Sequence, residues 1–181
     1  MPFSYLKFDN LFWNLFNYFQ QSIIIPKFVR SWFLLMMGCN IHRKSRIASG
    51  VFLGSNKIQL AASVFININC FLDGCALISM DDGVHLGPYV KILTGSHTIN
   101  PDVMRRSGES KDRFLPVYIK RGSWIGMGSI ILPGVTIAEG CVVGAGSVVV
   151  HSTQSNGLYV GNPAKRIKDL PVKSNSQTDT I

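Results

Sequence analysis

Four histidines stand in the chain, His42, His85, His97 and His151, and imidazole is the side chain best suited to general-base work near neutral pH. Their settings differ. His97 lies in Thr94-Gly95-Ser96-His97-Thr98, where a regular repeat gives way to a polar excursion from Thr98 to Pro116. That excursion carries Arg105, Arg106, Lys111 and Arg113 beside Asp102, Glu109 and Asp112. A long polar departure from a tight repeat points to a functional or intersubunit role. His85 follows Val84 in an outward slot and reads as a surface residue. A second polar group, Asn67, Asn69 and Asp73, falls in or just after Phe65-Ile-Asn-Ile-Asn-Cys70. As a stacked asparagine ladder, such residues bond the amides of turns.

A period of six positions these residues. Ile119, Ile125, Ile131, Ile137, Val143 and Val149 place an aliphatic residue at every sixth position. Ser123, Ser129, Val135, Cys141, Ser147 and Thr153 follow four residues later, each small or compact. Neither a helix, with its 3.6-residue period, nor a half-buried strand, with a period of two, makes that series. Short strands joined by tight turns do, coiling so that one aliphatic residue per repeat enters a narrow core. An earlier series runs Ile41, Ile47, Leu53, then Leu60, Ile66, Leu72 and Met80, Leu86, Ile92, giving about fifteen hexads and roughly five coils of three. Cys141, in a small-residue slot, reads as core, because a catalytic thiol needs a base and an electropositive setting.

The segment from Trp124-Ile-Gly-Met-Gly-Ser through Gly144-Ala-Gly-Ser-Val-Val149 resembles the hexapeptide-repeat acyltransferases, in particular the maltose and galactoside O-acetyltransferases and the O-acetyltransferases of surface polysaccharides. Gly161-Asn162-Pro163-Ala164-Lys165 is similar to the motif on which those chains leave the repeat. The likeness covers about residues 38 to 169. It implies an all-β solenoid, a left-handed parallel β-helix, whose hand runs against the usual crossover rule. It also implies a homotrimer that binds acetyl-CoA between neighbouring subunits. His97 matches the position of the family's catalytic base, and Asn67, Asn69 and Asp73 match its acceptor-binding stretch, one residue shorter here before Asp73. Trp124, Gly126, Gly144, Ala145 and Gly146 match positions along which the pantetheine arm lies. Lys165, Arg166 and Lys168 are placed to meet the adenosine phosphates. Met127 and Val150-His151 depart from the family's commoner polar residues. A zinc site of the carbonic-anhydrase type is not expected, since no close HxxxxH histidine pair is present.

The 181 residues suit one domain with an appendage, and 46% hydrophobic against 15% charged residues is rich in apolar character for such a size. A net charge of +8 favours anionic partners, but the basic residues are scattered without a nucleic-acid motif. Coenzyme A and anionic lipid headgroups fit better. Cys39, Cys70, Cys75 and Cys141 lack CxxC pairing and no cleavable signal peptide is recognised, so the expectation is a cytoplasmic protein with reduced thiols.

Residues 1–37 hold eleven of the nineteen aromatics, which sets them apart from the repeat domain over 38–169. Wound as a helix, Asn10, Asn14, Asn17 and Gln21 form one narrow polar stripe; Pro26 should break it, and a second helix should end at Gly38. Both runs are short of the roughly 20 residues that span a membrane. They read as an interfacial pair on the inner face of the cytoplasmic membrane, as a cap on the first coil, or as both. Residues 170–181 read as a disordered tail.

Taken with the resemblance, these residues lead to an acetyl-CoA-dependent O-acetyltransferase of a sugar or lipid-linked glycan hydroxyl, serving surface polysaccharide biosynthesis. His97 acts as base, without an acyl-enzyme, and Arg105 and Arg106 help hold the acceptor. An N-acetyltransferase of an amino nucleotide sugar, a serine-type acetyltransferase and a non-catalytic β-helix scaffold are the alternatives.

Overall fold

The computed structural model describes residues 8–101, 103, 105 and 112–172. Each hexad supplies a strand of two or three residues whose aliphatic member points inward, and three strands close one triangular coil. The first coil holds β1 (Asn40–Ile41), β2 (Arg46–Ile47) and β3 (Phe52–Leu53); the second β4 (Ile58–Leu60), β5 (Phe65–Ile66) and β6 (Phe71–Leu72). The third holds β7 (Ile78–Met80), β8 (His85–Leu86) and β9 (Lys91–Ile92), after which a hairpin of β10 (Gly95–His97) and β11 (Asp112–Phe114) leaves the coil. Then follow β12 (Val117–Ile119), β13 (Trp124–Ile125) and β14 (Ile130–Ile131), and last β15 (Thr136–Ile137), β16 (Val142–Val143) and β17 (Val148–Val149). β18 (Gly157–Gly161) begins a sixth turn and pairs with an antiparallel return strand, β19 (Ala164–Asp169).

Parallel stacking makes three faces. The first is β1-β4-β7-β12-β15, the second β2-β5-β8-β13-β16 with β18 and β19, and the third β3-β6-β9-β14-β17. This is the expected left-handed parallel β-helix. The aliphatic series from Ile41 to Val149 fills its axis at 4% exposure or less, each side chain contributing about 1.5–3 kcal/mol by burial. Cys141 is fully buried among them.

Two helices, α1 (Phe8–Gln20) and α2 (Lys27–Met36), close the N-terminal end, separated at Pro26 and followed by Gly38 at φ +83°. The reason lies in the polarity of the coil. In the second coil, the carbonyls of Leu60, Ile66 and Leu72 accept from the amides of His42, Ala48 and Gly54 in the first. The first coil has no predecessor, so its own carbonyls need donors from elsewhere. Trp13 Nε1 and Asn17 Nδ2 donate to Leu53 O at 2.6 and 2.7 Å, and Gln20 Nε2 donates to Val51 O at 2.6 Å. Arg30, 1% exposed, donates to Ile47 O at 2.7 Å and to the carbonyls of Ser22 and Ile25 at 2.9 and 3.0 Å. The capping expectation therefore holds, but with a different polar line. Asn17 and Gln20 point into the solenoid, Asn14 is exposed and Gln21 half-buried, because the carbonyl rim, not solvent, takes the amide side chains.

Candidate active site

The hairpin of β10 and β11 places His97. Its register pairs Gly95 with Phe114, Ser96 with Arg113 and His97 with Asp112. His97 Nδ1 lies 2.6 Å from Asp112 Oδ1, with the two side chains 38% and 56% exposed. A carboxylate at Nδ1 fixes the proton on that nitrogen and leaves the Nε2 lone pair to accept one from a substrate hydroxyl. Asp112 is absent from the residues that the sequence nominates for catalysis. It stands far from His97 along the chain, and only the antiparallel register reveals the contact.

Asp73 fastens that hairpin to the coil. Its Oδ2 accepts the amides of Thr94 and Gly95, both at 3.0 Å, and its Oδ1 accepts the Cys75 amide at 2.7 Å and the Thr94 hydroxyl. The fully buried Thr94 hydroxyl accepts in turn from the Ala76 amide at 2.9 Å. Burial alone would raise the Asp73 pKa, but the Thr94 hydroxyl and the three amides outweigh it and hold the carboxyl below its ordinary value. With four donors on two oxygens, the carboxylate has no lone pair left for an acceptor. Asp73, expected from the sequence to hold the acceptor, here positions the strand that bears His97.

The corner between the second and third faces gathers a different set. Asn67 there is half-buried, and its Oδ1 accepts the Ile68 amide at 2.8 Å. Asn69, at φ +57°, fills the left-handed position that Tyr89, Gly128 and Gly146 take in later coils. Its side chain lies over Gly50, where a Cβ would come within 1.9 Å of Oδ1. Above these, Gly126, Met127, Gly144, Ala145 and Gly146 continue the column, with Met127 54% exposed and Trp124, on the second face, 57%. A Cβ on Gly126 would stand 2.6 Å from Ala145 N and 2.7 Å from Val143 O, so stacking of the coils itself demands glycine there. Gly146, at φ +68°, instead faces open space.

Beyond that column β19 presents Lys165 and Lys168 to solvent. Arg166 is engaged internally. Its guanidinium lies 5.8 Å from the Tyr159 ring centre and donates to Asp169 Oδ1 from Nε at 2.8 Å, and to Gln154 O and Ser155 O at 2.9 and 3.1 Å. The chain's own acceptors therefore occupy the side chain expected to meet phosphate, and the two lysines remain. Arg105 donates to Asn100 O and Pro101 O at 3.2 and 3.0 Å, folding onto its own loop. Arg106 and the tail from residue 173 lie outside the described residues. Among the described residues, no three His, Cys, Asp or Glu side chains group as metal ligands.

One chain does not unite these parts. The His97 hairpin emerges between the third and first faces, whereas Asn67, Asn69 and the glycine column lie between the second and third.

Residues 116–151 match the model of the bacterial transferase hexapeptide, six repeats. The galactoside O-acetyltransferase of Lactococcus lactis is 32% identical over 124 residues, 67% of this chain and 58% of that protein. A hexapeptide-repeat acetyltransferase of Vibrio cholerae, solved with acetyl coenzyme A, superposes with a TM-score of 0.78 at 25% identity, covering 94% of this chain and 93% of that one. A maltose O-acetyltransferase of Clostridium difficile superposes with a TM-score of 0.72 at 28% identity, covering 90% and 86%. In sequence and in fold the chain is thus similar to hexapeptide-repeat acetyltransferases. It spans a little over half the length of the curated relatives it matches, 53% to 58% for three of them.

Proposed function

We propose that the protein transfers an acetyl group from acetyl-CoA to a sugar hydroxyl, on a precursor of a surface polysaccharide. The observation that carries the reading is the pair of His97 and Asp112 at 2.6 Å on a hairpin that Asp73 anchors. Support for the donor and acceptor comes from the acetyl-CoA complex of the Vibrio protein and from relatives that acetylate galactosides and maltose.

Acetyl-CoA supplies a carbonyl already activated as a thioester. His97 Nε2 takes the proton of the acceptor hydroxyl as its oxygen attacks that carbonyl, and Asp112 stabilises the imidazolium that results. The same proton then passes to the departing sulfur, which leaves as coenzyme A thiol. Trp124, Met127, Ala145 and Gly146 offer an exposed, narrow surface for the pantetheine arm, and Lys165 and Lys168 supply charge for its phosphates. Since His97 and this surface occupy different corners, a complete site needs the hairpin of one copy against the glycine corner of the next. A homotrimer with cyclic symmetry makes that contact three times and leaves no open edge.

Replacing His97 by Ala should lower turnover by on the order of 10² to 10⁴ while acetyl-CoA binding is kept. The assay is acetylation of galactosides, maltosides and amino sugars by the purified protein, with thiol release as readout. Near-normal turnover of the variant rejects His97 as base, and transfer to amines alone rejects the hydroxyl acceptor. Sedimentation of an active monomer rejects the shared site.

A further inference from the structure

We infer that the outer face of the helix pair is a docking surface for an anionic lipid bilayer, on which the protein lies without crossing it. The inward side of α1 and α2 is consumed by the carbonyl rim, through Trp13, Asn17, Gln20 and Arg30. What remains outside is inverted for a surface helix in water. Tyr18, Ile23, Ile24, Phe28, Trp32 and Met36 are each more than half exposed, Ile23 and Ile24 at 86%. Side chains of this size gathered at one end of the molecule exceed the scattered apolar residues of an ordinary surface. Tyr18 and Trp32 have rings with one polar atom each, the type that settles at headgroup level. Between the helices a cleft of about 400 Å³ is lined by Leu15, Phe16, Phe19, Ile25 and Phe33, with Gln20 its one polar lining residue, and its surface is almost wholly apolar, a fit for acyl chains.

Charge identifies the occupant. From Asn10 to Leu72 the sequence contains no Asp or Glu. Within that stretch Lys27 on α2, and Arg43, Lys44 and Arg46 on the first coil against which α2 packs, are all exposed. Exposed basic side chains on α2 and on the coil beneath it match lipid phosphates beside acyl chains, and a second copy bearing the same charge would be repelled. No helix among the described residues is long and apolar enough to cross a membrane, so the contact is interfacial. The inference rests on the folded cap alone and is independent of the proposed chemistry.

The test is flotation of the full chain with vesicles of phosphatidylcholine alone and with about 30% phosphatidylglycerol. The bound fraction should rise roughly tenfold with the anionic lipid and fall at about 0.5 M salt, where charges are screened beyond a few ångströms. The double variant Ile24→Glu and Phe28→Glu, at two exposed positions, should lower binding by about tenfold or more, with unchanged circular dichroism and melting temperature. Equal partition to both vesicle types, or equal binding by the variant, overturns the inference. A variant that binds vesicles as before but sediments as a smaller assembly shows instead that this face joins copies of the chain.

Discussion

Two corners of the same coil do opposite things. Between the second and third faces the chain turns tightly in every coil, and the turn at 126–128 stacks on the one at 144–146 with no room for a side chain at Gly126. Between the third and first faces the chain departs after β9, and the hairpin it forms is held by side chains, Asp73 to Thr94 and His97 to Asp112. The closed corner is specified by close backbone packing. The open one depends on a few polar contacts that bring titratable groups together, which is where proton transfer can be built. The two edges of one repeat are thus held by different means, close backbone packing at one and polar side-chain contacts at the other, and substitutions should separate them.

The largest effect should come from closing space that does not exist. Gly126→Ala puts a Cβ under 3.0 Å from three backbone atoms and should cost about 3 kcal/mol, read from the denaturation midpoint. Gly146→Ala, in open space, should cost only about 1 kcal/mol for its left-handed backbone. Equal costs would show that the two glycines serve a common purpose instead.

At the open corner, Asp73→Asn keeps the volume but turns an amide donor toward groups that themselves donate, and should cost about 2–3 kcal/mol. Because the native carboxyl titrates below its unfolded value of about 3.9, its contribution is complete above that pH and is lost as pH falls through the native value. Stability measured from about pH 6 down to pH 2 should therefore fall more steeply in the wild type than in Asp73→Asn. Parallel curves would remove Asp73 from its anchoring role.

Next comes Asp112→Asn, which keeps the shape of the contact and removes its charge. Turnover should drop about 10- to 100-fold with little change in stability, since Asp112 is largely exposed. An unchanged rate would leave His97 working without its partner.

The smallest perturbation uses the cysteines as reporters. Cys70 belongs to the closed corner, donating its thiol to Gly87 O at 3.2 Å, and burial pushes its pKa up to about 11; burial pushes that of Cys39, in front of β1, up to about 12. Cys75 belongs to the open corner and is exposed, its pKa raised by partial burial and then by the Asp73 charge. Alkylation at about pH 8 should label Cys75 slowly in the native protein and reach Cys70 only on unfolding. Early labelling of Cys70 would mean that the closed corner breathes.

The period of six was enough, by itself, to determine the coil, the fifteen inward residues, the burial of Cys141 and the place where the repeat is broken. Such a pattern repeats a local rule, one aliphatic residue per short strand, and local rules are readable along the chain. The helix break at Pro26 and the exit at Gly38 were readable for the same reason. Tertiary structure alone decided the rest. Asp112 meets His97 through a hairpin register that no spacing announces. The bonding of Asp73 depends largely on Thr94 and Gly95 of the following coil, and that of Arg166 on the return of β19 against β18 and the turn at 154–156, so their motif positions could not reveal these partners. The direction of the N-terminal polar line was settled by the unpaired carbonyls of the first coil, and those exist only once the coil has a first turn and nothing beneath it.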